Sequence, residues 1–126
     1  MTGAVVLDAG GLIAVDRNVR KMVVLLARIA ETGATVIIPA PALGQAIRSP
    51  ERQVRLARLI RQPTSEVVAL GRAEAFDIGR LLASSGTRDV VDAHVVVCAR
   101  RSGRTVVTSD PDDLRRLDDT VPLLVV

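Results

Sequence analysis

Five short apolar runs, 4–7, 34–38, 65–69, 105–108 and 122–126, constrain this chain more than any other feature. They are rich in Val and do not alternate with polar residues, which is the pattern of strands buried on both faces of a parallel sheet. Helical spacing fills the gaps between them. Val19, Met22, Val23, Leu26, Ile29 and Ala30 mark one apolar face, stopped by Gly33. A second helical region begins after Pro41, breaks near Ser49-Pro50 and resumes from Glu51 to Arg61. A third runs from about Arg72 to Ala83 with Ile78, Leu81 and Leu82 inward, and a fourth spans Asp89 to Ser102, closed by Gly103. Strands alternating with helices predict an α/β fold, a three-layer α/β/α sandwich around a mostly parallel five-stranded sheet. With 126 residues and no repeat, linker or low-complexity stretch, residues 1–126 read as a single domain.

Composition narrows the function classes. A lone cysteine, Cys98, permits no internal disulfide and fits a reducing compartment. No apolar stretch approaches the roughly 20 residues that span a bilayer, and the start lacks a signal-peptide layout. The expectation is a cytoplasmic protein with no membrane partner. Of 17 basic residues only Lys21 is a lysine, so Arg forks suited to phosphates and carboxylates dominate. Phe76 is the sole aromatic, which leaves almost no base-stacking platform; any contact with RNA must rely on charge and shape.

The acids fall at one end of the expected sheet. Asp8 directly follows the first strand and Asp110 follows the fourth by two residues. The helix from Asp89 must run away from that edge to feed the strand at 105–108, so Asp89 and Asp92 start beside Asp8 and Asp110. Ligands of open parallel sheets bind at these carboxyl ends. Asp89, Asp112 and Asp113 each have an ordinary explanation as acids of a helix start. Asp8 has no capping pattern behind it that accounts for it fully. Asp92 opens a helix, Ala93 to Ala99, that is apolar nearly all round, and a carboxylate there is costly unless a cation compensates it. Converging carboxylates without a His or Cys cluster select a hard ion, Mg²⁺ or Mn²⁺, and such ions commonly serve phosphate chemistry. Glycine-rich nucleotide loops are missing, Lys21 lies in the wrong helix for a receiver domain, and Cys98 and the solitary His94 read as helix residues.

The segments Val5-Val6-Leu7-Asp8, Asp89-Val90-Val91-Asp92-Ala93 and Thr108-Ser109-Asp110-Pro111-Asp112-Asp113-Leu114 resemble the three acidic motifs of PIN-domain proteins. Their order and spacing are similar to those of VapC-type toxins across essentially the whole chain. The resemblance implies an endoribonuclease using Mg²⁺ or Mn²⁺, held by Asp8, Asp92 and Asp110, with Asp89 and Asp113 as auxiliary acids. It also implies an inhibitory antitoxin partner and a homodimer. Two departures stand out. Gln45 occupies the place where the family carries a Glu, and it brings neither charge nor a base. Ala9-Gly10-Gly11 follows Asp8, where Ser or Thr is common. A catalytically impaired module that binds antitoxin or RNA without cleaving is therefore the alternative. Arg48, Arg52, Arg55, Arg58 and Arg61 recur at helical spacing as a broad basic face, offered here for an RNA backbone or an acidic antitoxin segment, with a plain solvated face as the other reading.

Overall fold

The computed structural model describes residues 4–126. In chain order these form β1 (Val5–Leu7), α1 (Ala9–Asp16), α2 (Arg20–Thr32), β2 (Val36–Pro39), α3 (Ala40–Ala46) and α4 (Val54–Ile60). Next come β3 (Ser65–Val68), α5 (Arg72–Ser85), α6 (Val90–Ser102), β4 (Thr105–Thr108), α7 (Pro111–Leu117) and β5 (Leu123–Val125). The five strands form one parallel sheet in the order β3-β2-β1-β4-β5. α1 packs on one face with α2 and α4 against it, and α6 covers the other with α5 and α7 beside it. This is the expected α/β sandwich.

The interior explains the apolar runs. β1, β2 and most of β4 are buried, and they meet the wholly buried stretch Ala93 to Ala99 of α6. The expectation of burial on both faces fails for β3 and β5. They are the sheet edges, so Val67, Leu124 and Val125 stay exposed. Gly33 and Gly103 end α2 and α6 in the left-handed conformation that favours glycine.

Two further local expectations need correction. A helix, α1, begins at Ala9, and the sequence reading had none there. It is buried on several sides (Gly11, Leu12, Ala14, Val15) and so lacks an amphipathic stripe to read. The Glu51–Arg61 helix is shorter, Val54–Ile60. The chain before it forms a turn organised by one side chain. Gln53 Nε2 donates to the Ala46 carbonyl at 2.9 Å, and its Oε1 accepts from the Arg48 and Ser49 N–H groups at 2.9 and 3.2 Å.

Candidate active site at the strand ends

Parallel register sets Val5, Val6 and Leu7 of β1 beside Thr105, Val106 and Val107 of β4, so the two central strands finish together. Asp8 and Asp110 follow those finishes. Asp8 is 5% exposed, and it does cap a helix, contrary to the sequence reading: its Oδ1 accepts from the Gly11 N–H at 2.8 Å. Burial raises its pKa, opposed by the Thr108 hydroxyl and the Gly11 and Gly10 N–H groups and reinforced by the charge of Asp110. Thr108, itself fully buried, accepts from the Asp110 N–H at 2.9 Å and so anchors the third motif at the end of β4.

Glycine makes that approach possible. A Cβ on Gly11 would sit 2.7 Å from the Val107 carbonyl oxygen, and one on Gly10 would collide with Ser109 Oγ. The Ala9-Gly10-Gly11 departure is thus what lets the first turn of α1 lie against the end of β4.

Asp89 caps α6, its Oδ1 accepting from the Asp92 N–H at 3.0 Å, as its ordinary explanation required. Asp92 is half-buried in the first turn, and its pKa is pushed up to about 7 by burial first and then by the charges of Asp89, Asp8 and Asp113. Asp110 stands at the N-cap of α7 without using its side chain to cap it. Its pKa is raised by the charge of Asp113 first, while Arg116 opposes the shift. Five acids from three segments (Asp8, Asp89, Asp92, Asp110 and Asp113) therefore press on one another at a single edge of the sheet.

Gln45 is exposed on the last turn of α3 and enters no hydrogen bond among the described residues. Arg48 turns its guanidinium back onto the Gly44 and Ile47 carbonyls, at 3.3 and 2.7 Å. Arg52 is exposed. Arg55 and Arg58 border a cleft of about 350 Å³ between α2 and α4, floored by Met22, Leu26, Ile29 and Leu59. That cleft has none of the acids in its lining. Thr108, Ser109, Gly10 and Arg116 are the neighbours that sequence reasoning missed; Thr108 and Ser109 lay inside a quoted motif, but nothing local marked their contacts.

The donor set suits a hard cation. It consists of carboxylate oxygens, and Mg²⁺ typically takes only one or two carboxylates directly and keeps several waters. As these side chains lie, no three His, Cys, Asp or Glu groups among the described residues close on one point. The remaining polar core group, His94, is fully buried, with Nε2 3.7 Å from Cys98 Sγ and no hydrogen-bond partner on Nδ1 among the described residues. Burial lowers its pKa, and burial raises that of the Cys98 thiol to about 11, so both are neutral at pH 7.

The fold is similar to that in the crystal structure of VapBC2 from Rickettsia felis bound to a DNA fragment from their promoter. The TM-score there is 0.69 at 16% identity, covering 98% of each chain. It is similar also to that in FitAcB from Neisseria gonorrhoeae, with a TM-score of 0.65 at 14% identity, covering 95% of this chain and 96% of the other. No curated protein matches the sequence. The PIN domain family model matches residues 5–120, and the chain belongs to that family. Among the described residues, no helix is long and apolar enough to cross a membrane.

Proposed function

We propose that the protein is a Mg²⁺- or Mn²⁺-dependent endoribonuclease acting as the toxin of a toxin–antitoxin pair. The observation that carries this reading is the convergence of Asp8, Asp92 and Asp110 at the ends of β1 and β4 and the start of α6, with their charges mutually uncompensated. Mg²⁺ or Mn²⁺ bound there supplies Lewis acidity toward a phosphate oxygen and lowers the pKa of water. Asp8, whose Oδ1 accepts from the Gly11 N–H, is the most deeply buried member of the set; Asp92 and Asp110 complete it. Asp113 and Asp89 adjust the proton affinity of those neighbours. In this reading Asp8, Asp92 and Asp110 would hold the cation, which would supply charge stabilisation at the scissile phosphate, and Thr108 anchors the Asp110 backbone at the end of β4.

The resemblance of the three acidic motifs to those of VapC-type toxins, in a chain that belongs to the PIN domain family, supports a small cognate antitoxin as partner. The apolar α2/α4 cleft bordered by Arg55 and Arg58 suits an apolar segment flanked by acids. A homodimer and a cytoplasmic location belong to the same reading.

Gln45 favours a second reading. An uncharged side chain on the exposed end of α3 contributes no fourth acid, so a binding module that no longer cleaves would keep the same fold. Cleavage of single-stranded RNA by the purified protein in Mg²⁺ and Mn²⁺ decides between the two. Activity that falls at least about a hundredfold in Asp8→Ala establishes the nuclease. Silence in the native protein with activity gained in Gln45→Glu establishes the binding module.

A further inference from the structure

An RNA strand approaching this edge brings one phosphate charge per nucleotide toward Asp8, Asp89, Asp92, Asp110 and Asp113. A cation of the protein must stand at the rim to offset that repulsion. Of the arginines singled out by helical spacing, Arg48 is spent on the carbonyls of α3, and Arg55 and Arg58 line the α2/α4 cleft, which has none of these acids in its lining. Arg116, on the last turn of α7, stands at the rim. Its Nη1 lies 3.2 Å from Asp113 Oδ1, its side chain is 70% exposed, and the rest of its fork makes no hydrogen bond among the described residues. Arg115, one position earlier, provides an internal contrast. It faces Asp112 at 3.5 Å, on a carboxylate that is 77% exposed.

We propose that Arg116 is the substrate-binding arginine of this edge, gripping the RNA phosphate next to the scissile one while Asp113 holds its guanidinium at the rim. The assignment rests on the nuclease reading for its substrate and on the α7 geometry for its residue. A guanidinium presents five N–H donors in a planar fork, and a single contact with Asp113 leaves donors free for a bidentate phosphate contact. Arg116 and the carboxylates thus divide the strand between them. The fork takes one phosphate directly, and the acids leave the neighbouring phosphate to be bound through a cation.

The test is a salt titration of the full chain with a short single-stranded RNA, in an Asp8→Asn background with Mg²⁺ so that the strand stays whole. Arg116→Ala should weaken binding about fivefold at 0.1 M salt and reduce the slope of log K against log salt by about 0.7. Arg115→Ala should leave both unchanged, and Arg116→Lys should restore the slope while recovering only part of the affinity. Equal slopes in Arg116→Ala and Arg115→Ala overturn the assignment. So does a loss of Mn²⁺ affinity in Arg116→Ala with the RNA slope intact, which would make Arg116 a positioning residue for Asp113. Failure of the nuclease reading would appear elsewhere, as no RNA cleavage by the native chain, and would leave the slope measurement free to decide the role of Arg116.

Discussion

The protein uses carboxylates in two opposite ways, and the two sets lie on different parts of the same helices. On the outer side of α6, Arg101 bridges Glu74 and Asp77 of α5 at 2.7 and 2.6 Å, and Arg100 meets Asp118 beyond α7 at 2.7 Å. Hydrogen bonds lower the pKa of each of these acids. The bonds come chiefly from the Gly71 N–H and Arg101 for Glu74, from Arg101 for Asp77, and from Thr120 with Arg100 for Asp118. At the start of α6 and the ends of β1 and β4 the shifts run upward, because burial and like charges outweigh the available donors. Acids that clamp helices together carry their counter-charge with them. Acids that leave it missing are kept for something that brings it.

That division can be tested by exchanging an acid from each set. Asp110→Ala should reduce RNA cleavage at least about a hundredfold with no loss of thermal stability, since it removes a repelled charge. Asp118→Ala should leave cleavage intact and cost on the order of 1 kcal/mol, because the Thr120 N–H, its hydroxyl and Arg100 all lose their acceptor; chemical denaturation reads this. Reversed outcomes would place the functional acids on the wrong side of α6.

The glycines sharpen the same boundary. Gly11→Ala should destabilise by about 1–3 kcal/mol and weaken metal binding, since its Cβ would force α1 away from the Val107 carbonyl. Gly44→Ala, with nothing within 4 Å of its new methyl, should be neutral or stabilise α3 by up to about 1 kcal/mol. Arg101→Ala carries a small effect, a slight loss of melting temperature that shrinks in high salt, because Arg101 itself is half-exposed where it meets the part-buried Glu74 and Asp77.

Much of this was legible in sequence because the acids sit directly on the ends of apolar runs. Asp8 after Val5-Val6-Leu7 and Asp110 after Thr105-Val106-Val107-Thr108 inherit their positions from strand order, and Asp92 inherits its own from the direction α6 must run. What stayed hidden depends on contacts between distant segments. α1 offers no period to detect because it is buried around most of its circumference. The single helix expected through Arg52 and Arg55 is interrupted because Gln53 folds the chain before Val54 into a turn, and Arg48 bends back on α3. Arg116 drew no notice, as an arginine on a short helix means nothing until Asp113 is seen beside it.

The most direct test of the central claim, that the strand-end acids are an uncompensated set awaiting a cation, is the melting temperature between pH 8 and pH 6.5 with and without Mn²⁺. Asp92 has a folded pKa of about 7, well above the roughly 3.9 of an unfolded Asp. Its destabilising contribution is absent below the unfolded value and grows as pH rises toward and through the folded one. The metal-free protein should therefore melt higher at pH 6.5 than at pH 8. The depressed pKa of the buried His94 opposes this trend only as pH falls through the unfolded His value near 6.5. Mn²⁺ should raise the melting temperature most at pH 8, and Asp92→Asn should flatten the pH dependence and weaken the Mn²⁺ effect. A native protein whose melting temperature is the same at both pH values and indifferent to Mn²⁺ would contradict the account.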